Sequence, residues 1–413
     1  MRTALLFILS IVFFNTLNIS TLKAQTNQIN DDISSATSLV NQDSIESYIQ
    51  HLENYGTRFM IAPNRLEIAK WLQNKFKSFG VDSVRIDTFE THTTYSGLGL
   101  DTTTSQYNVV AIIPGSSGKK IIICAHYDSF SSGDPFVFAP GADDDASGVA
   151  ACLESARVFS EIVYTPTHTI EIIAFAAEEL MNFGLGGYDI HAANAQANND
   201  TIDLVIHNDM IGFNDGSLSV FFSTYPGCES ETAMLAAICD DYTILHKKFW
   251  PPNMGPFADR AFYYRGYKCV YIEENFDLNP NYHQPTDLLA NMNAFYCSEV
   301  IKISIGGAMQ YDMPADTTTS INEIALIENN LFIFPNPVSN IATVNYTVER
   351  NSYIELALYD ITGKKMEILE KGIKPKGQYR TQLVNKNYQG IYLISLSLDN
   401  KNIITQKVII NKH

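Results

Sequence analysis

The sequence predicts an α/β protein: a three-layer sandwich around a mostly parallel mixed sheet, followed by a small all-β sandwich domain. Three observations predict it. Up to about Tyr311, continuous aliphatic runs alternate with amphipathic stretches, as expected for strands covered on both faces by helices. Beyond a polar interruption the pattern changes to short alternating runs with no helical stretch, which reads as strands alone. Charge changes at the same place: of a net −17, residues 330–413 carry +5, from 11 Lys and Arg against 6 Asp and Glu, leaving −22 for residues 1–329. A break of that size marks a domain boundary.

Residues 1–24 read as a secretory signal peptide. Arg2 supplies the positive start, residues 4–14 an apolar run, and Leu22-Lys23-Ala24 a small-residue exit before Gln25. The apolar run is too short to span a bilayer comfortably and no other segment qualifies, so the mature protein is expected to be exported without an integral membrane segment. An α/β domain over 25–312 follows. Its strands are "YNVVAIIP", "KIIICAH", "TIEIIAFAA", "IDLVIHNDM" and "YKCVYIEE", each too continuously apolar to face water. Residues 67–79 and 147–159 carry apolar side chains at three- and four-residue spacing, the mark of a helix with one buried face. A polar linker over 313–330 leads to the all-β domain at 331–413, whose strands are separated by "FPNP", "DITGKK", "KPKGQ" and "DNKN".

With 413 residues, 46% hydrophobic and 18% charged, the chain can bury a large core in more than one domain. Its negative charge argues against a nucleic-acid or anionic-membrane partner. Six cysteines survive signal cleavage, and an exported protein can oxidise them. Cys124, Cys152 and Cys269 sit in apolar patterns that suit buried thiols. Cys228, Cys239 and Cys297 are the better disulfide candidates, with connectivity open.

The chemistry concentrates where strands end. His126 and Asp128 follow "KIIIC", Glu178 and Glu179 follow "TIEIIAFAA", Asp209 follows "IDLVI", and His283 comes a short loop after "YKCVYIEE". In open α/β sheets the loops past the carboxyl ends of strands carry functional side chains. Each piece has an ordinary explanation, a hydrogen-bonded histidine or a solvated acid pair, but four segments together aim acids and imidazoles at one edge. Between them stands "GADDDASG", residues 141–148, with three consecutive aspartates. Calcium loops place their oxygens at alternate positions, whereas here Ala146-Ser147-Gly148 open a helix. Consecutive carboxylates repel and resist burial unless protonated or held by a cation. Two histidines with several carboxylates suit zinc or a similar transition metal. Two such ions a few ångströms apart need a carboxylate between them, and the triplet offers one.

The stretches "HYD", "PGADDDASG", "EE" after an apolar strand, "NDMIG" and "YHQPTD", in that order, with "YGTRF" upstream, resemble metallopeptidase family twenty-eight, the leucyl-aminopeptidase-like co-catalytic zinc exopeptidases. The resemblance covers roughly residues 45–311. It implies two zinc ions per chain, with His126 and Asp209 on one, Glu179 and His283 on the other, and Asp144 bridging. It further implies Glu178 as general base, Asp128 as the acid orienting His126, and a cis peptide between Asp144 and Asp145. Physical chemistry supports such roles: zinc depresses the pKa of water, so a nearby carboxylate can take its proton at neutral pH. The family commonly has a Ser-Asp-His segment where this chain reads "FADRAFYYRG", so Asp259 and Arg260 receive no role. His207, two residues before Asp209 on one strand face, could support the site or compete for a ligand role.

"LFIFPNPVSN", "LYDITGKKM" and "GIYLISLSLDNKNIITQKVIINK" resemble the type A sorting domain of the type IX secretion system. That implies passage through the periplasm and outer membrane to the cell surface or medium, with the secretion machinery as a partner. The function expected is a secreted dinuclear zinc aminopeptidase acting on peptides. Two alternatives stand beside it: a single-zinc glutaminyl cyclase-like acyltransferase, and a non-catalytic surface binding protein on the same fold.

Overall fold

A computed structural model describes residues 29–180, 185–250, 258–313, 331–334, 338, 341–348, 350–361, 363–386, 388–399 and 402–410. The signal peptide expected over 1–24 and all but Met313 of the expected linker lie outside them. The chain divides into two compact units, Met1–Asp316 and Thr317–His413.

In the first unit the order is α1 (Asp31–Ser38), α2 (Gln42–Glu53), α3 (Arg65–Ser78), β1 (Ser83–Tyr95), β2 (Leu100–Ile113), β3 (Lys119–His126), α4 (Ala146–Glu161) and β4 (Thr169–Phe175). There follow α5 (Gly187–Ala197), β5 (Thr201–Asn208), β6 (Ser219–Thr224), α6 (Glu229–Tyr242), β7 (His246–Phe249), α7 (Arg260–Tyr263), β8 (Cys269–Glu273) and α8 (Ala294–Asp312). The strands form one sheet ordered β1-β2-β4-β3-β5-β8-β6-β7. Its centre, β4-β3-β5-β8, is parallel throughout, while β1, β2 and β6 enter antiparallel. The fold is therefore the expected α/β sandwich on a mixed sheet.

Side-chain alternation on β3 shows why the run "IIIC" is apolar throughout. Ile121 and Ile123 join the cluster formed with α1–α4, α6 and α8, whereas Ile122 and Cys124 join the one formed with α5 and α7. A strand buried on both faces has few solvent-facing positions and so reads as apolar along most of its length, and each fully buried Ile contributes about 1.5–3 kcal/mol. Helix starts are set locally. Asn41 caps α2 by accepting from the Ser44 N–H at 2.8 Å, and Asn293 caps α8 by accepting from Tyr296 at 2.9 Å.

The second unit holds β9 (Leu331–Phe334), β10 (Ile341–Val348), β11 (Ser352–Asp360), β12 (Lys365–Lys374), β13 (Gly377–Val384), β14 (Gly390–Leu398) and β15 (Asn402–Ile410). They make two antiparallel sheets, β13-β10-β9 and β12-β11-β14-β15, around a core that includes Val344, Leu356, Leu383 and Leu396. Cysteine usage corrects one expectation. All six cysteines are buried free thiols, Cys228, Cys239 and Cys297 included; the Cys228 sulfur accepts from the Cys269 N–H at 3.5 Å. Among the described residues no helix is long and apolar enough to cross a membrane.

Candidate metal centre

The four parallel strands end level with one another. His126 is the last residue of β3 and pairs with Phe175 at the end of β4, and Asn208 at the end of β5 pairs with Ile272 on β8. The loops beyond those ends bring His126, Asp144, Glu179, Asp209 and His283 together. Asp144 lies between the two imidazoles: its Oδ1 is 3.2 Å from His126 Nε2 and its Oδ2 3.2 Å from His283 Nε2. Asp209 Oδ1 lies 3.6 Å from His126 Nε2, and Glu179 Oε2 lies 2.9 Å from His283 Nε2. A tetrahedral zinc site with bonds near 2.0–2.1 Å spaces its ligand atoms about 3.3 Å apart, so each half of the cluster has the dimensions of one such site. In each of two groups, His126-Asp144-Glu179 and His126-Asp145-Asp209, the potential ligand atoms all lie within 4.8 Å of one another.

The donor set fits a pair of cations. Glu179 Oε1 is buried without a hydrogen-bond partner among the described residues, a costly state unless something positive meets it. Burial would lower both imidazoles, but Glu179 and Asp144 push His283 up to about 11, and Glu178 with Asp128, Asp144 and Asp209 pushes His126 well above its ordinary value. The two imidazoles hold Asp144 well below the usual carboxylate range despite burial. Burial, with Asp209, Glu179 and Asp128 adding to it, pushes Glu178 well up against the pull of His126. The centre is thus a concentration of acids asking for positive charge, which a metal ion meets by displacing protons.

Backbone hydrogen bonds build this arrangement. Asp145 is the N-cap of α4: its Oδ1 accepts from Gly148 at 2.7 Å and Met210 at 3.3 Å, and its Oδ2 from the His126 N–H at 3.2 Å. Those bonds occupy Asp145 and leave Asp144 as the acid facing both imidazoles. The Asp144-Asp145 peptide is cis. Gly148 must be glycine, because a Cβ there would come within 2.5 Å of the Asp145 oxygens and 2.6 Å of the Asn208 carbonyl. Of seven described non-glycine residues in the left-handed region, Ala177, Met210 and His283 sit beside or within the centre, where sterically costly backbone is held by its surroundings.

Asp128 lies beside the His126 ring and also holds backbone. Its carboxylate accepts the N–H groups of Glu178 at 3.0 Å and Glu179 at 3.1 Å, fixing the loop after β4. The His126 Nδ1 lies 3.1 Å from the Asp128 carbonyl and 3.6 Å from its carboxylate, so the nearer acceptor for the ring is the backbone. His207 turns away: its Nε2 meets the Tyr188 hydroxyl at 2.7 Å and its Nδ1 faces Asp259 at 3.8 Å. Asp259 is buried and accepts from the Tyr225 hydroxyl at 2.8 Å.

Two buried residues went without roles at the level of sequence. The guanidinium of Arg58, from "YGTRF", donates to the carbonyls of Tyr127 at 2.8 Å, Pro140 at 2.5 Å and Gly141 at 2.7 Å. Asp287, from "YHQPTD", accepts the N–H groups of Asp143 at 2.8 Å and Asp144 at 3.0 Å. Both lie inside quoted motifs, and the signal was there: a lone Arg or Asp within an otherwise apolar or turn-forming stretch needs a buried partner.

Residues 108–305 match the family model described as Peptidase family M28. That part of the chain belongs to peptidase family M28. Residues 332–411 match the secretion system C-terminal sorting domain. The M28 region is similar to leucine aminopeptidase 1 of Ajellomyces dermatitidis, 30% identical over 188 residues, 43% of this chain and 45% of the relative. The chain thus spans less than half the length of that relative. Among solved structures it superposes on the LapA aminopeptidase of Legionella pneumophila with a TM-score of 0.60, at 21% identity over 70% of this chain and 76% of that one. A glutaminyl cyclase of Fimbriiglobus ruber superposes with a TM-score of 0.55, at 15% identity over 65% and 95%. At such identities the likeness is one of fold, and the M28 sheet is shared by both kinds of protein.

Proposed function

We propose that the protein is an exported dinuclear zinc exopeptidase, an aminopeptidase that removes N-terminal residues from peptides. The observation that carries this is the Asp144 carboxylate, one oxygen 3.2 Å from each of two imidazoles that come from the end of β3 and the loop after β8. A single buried acid set between two His-carboxylate pairs suits a bridge between two ions.

His126, Asp209 and Asp144 would hold one zinc, and Glu179, His283 and Asp144 the other. Such ions supply Lewis-acid polarisation of a scissile carbonyl and make an attacking water more acidic. The chain's own residues do the rest. Glu178, whose N–H is fixed by Asp128, points a carboxylate that is not needed as a ligand; it takes a proton from the attacking water and returns it to the departing amine. Asp128 holds the Glu178-Glu179 backbone and, through its carbonyl, the His126 ring, so ligand and base keep their relative positions. The sorting domain supports export by the type IX route to the cell surface or medium, and the secretion machinery is the partner proposed for it.

Elemental analysis after zinc reconstitution, run beside a panel of free and N-blocked dipeptides, tests the reading. Two ions per chain and turnover confined to free-amine peptides are expected. One ion with cyclisation of N-terminal glutamine would favour the acyltransferase reading, which shares the fold. No turnover by either parent or Glu178→Ala would leave a binding protein.

A further inference from the structure

Beside the metal centre, the loop from Ser129 to Pro140 is tied down at every side. Its ends are joined by Ser129 Oγ donating to the Ala139 carbonyl at 2.7 Å. Thr57 Oγ1 donates to the Pro135 carbonyl at 2.6 Å, and the Ala139 N–H donates to Gly56 at 2.9 Å. On the other side the Ser132 N–H donates to the carbonyl of His283 at 2.8 Å, and Ser132 Oγ to Gln284 at 2.9 Å. This held loop nonetheless presents Phe136, Val137 and Phe138 to solvent, 39%, 72% and 41% exposed. Three consecutive large apolar side chains on a rigid surface loop are unfavourable in water unless something covers them.

The apolar ledge is continuous with the centre. The Phe130 ring lies 5.1 Å from His283, edge-on, and 5.8 Å from Tyr95 at the tip of the β1–β2 hairpin. The fully buried Phe59 supports both from beneath the surface, 6.1 Å from Phe130 and 5.0 Å from Phe136. Its position relative to the ions matters. His126 and Asp209 are buried, while 29% of the His283 side chain is open, so the His126 end is closed and the His283 end faces out. At the closed end Glu273, on β8 near Asp209, keeps a buried Oε1 with no hydrogen-bond partner among the described residues, an acid placed to suit an ammonium group. An enzyme that takes a peptide by its N-terminus must put that terminus at the closed end and let the remaining chain leave by the open one.

We infer that the ledge formed by Phe130, Phe136, Val137 and Phe138 with Tyr95 binds the side chain of the second residue of the peptide, and selects substrates with a large apolar or aromatic residue just after the cleaved bond. The inference rests on the aminopeptidase reading and adds to it the side of the bond at which sequence is read. Phe136 and Phe138 are specificity-determining residues outside the proposed ligand set of the centre.

The test compares kcat/KM of the zinc-loaded parent and of Phe136→Ser/Phe138→Ser on Ala-Phe-amide, Ala-Gly-amide, Phe-Ala-amide and Ala-Ala-amide. The parent is expected to favour Ala-Phe-amide over Ala-Gly-amide by about tenfold or more, on the scale of discrimination by an apolar site. In the double variant that ratio falls to within about threefold, while the ratio of Phe-Ala-amide to Ala-Ala-amide moves by less than about twofold. Phe138→Ser alone, a change at an exposed position, shows the same trend at smaller size. A parental ratio retained in both variants overturns the inference, as does a change confined to the first-residue ratio. Absence of hydrolysis of all four peptides by the parent would overturn the aminopeptidase reading and this inference with it, a result distinguishable from either of the others.

Discussion

At the scale of single residues, the acids of the centre divide their tasks by what already occupies their oxygens. Asp145 spends both on backbone N–H groups, Asp128 spends its carboxylate on the loop after β4, and Asp144, Glu179 and Asp209 are the acids proposed to meet cations. Glu178→Gln is therefore expected to retain both zinc ions by elemental analysis while kcat falls about 10²–10⁴-fold, the range for loss of a general base. Asp128→Asn should weaken metal affinity about 10–100-fold, read by competition with a chelator. Away from the centre, Glu171 offers a pH dependence with a definite sign. Burial would raise its carboxyl, but His191 at 3.4 Å and Lys120 at 3.0 Å hold it at about 2. A folded value below the unfolded one means a contribution that is complete above about pH 4.5 and is lost as pH falls toward 2. Acid unfolding of Glu171→Gln followed by circular dichroism should lack that segment, worth on the order of 2 kcal/mol.

The elements explain which parts of the molecule are legible in the sequence. β3, β4, β5 and β8 are buried on both faces, so their residues are mostly apolar and stand out as runs, with a few buried polar exceptions such as Glu171 and His207. The edge strand β1 alternates exposed with half-buried positions, "SVRIDTFETHTTY", and its composition hides it among loops. Several proposed ligand positions were legible for the same reason as the central strands: His126 ends β3, while Asp209 and Glu179 fall one and four residues past β5 and β4; Asp144, ahead of α4, and His283, in a longer loop, were marked instead by their motifs. The ledge was not, because exposure of Phe136 and Phe138 depends on tethers such as Thr57 to Pro135, 78 residues apart. Nor was the direction of His207, set by Tyr188 on a helix that the strand pattern does not specify. Arg58 shows how one side chain can join elements: three loop carbonyls depend on it. Arg58→Met should cost about 2–5 kcal/mol in denaturant unfolding, since it leaves those carbonyls unmet within a buried acidic region.

Over the whole molecule, two units with separate cores match separate families, the first unit the M28 peptidase model and the second the sorting domain, and the proposed function gives metal chemistry to the one and addressing to the other. The sequence's charge break follows that division, and its disulfide candidates fell short for a physical reason: Cys239 and Cys297 lie within helical patterns that pack as core, where a thiol serves as a small apolar group. The native protein should accordingly resist a thiol reagent and release six reactive thiols on unfolding in denaturant, as counted by absorbance. What unites the account is a pair of cations on either side of one carboxylate, and anomalous diffraction at the zinc edge from crystals of the reconstituted protein addresses it directly. The account predicts two peaks flanking Asp144, one contacting His126 and Asp209 and the other Glu179 and His283. A single peak, or peaks that leave Asp144 outside the ligand shell of either ion, would contradict it.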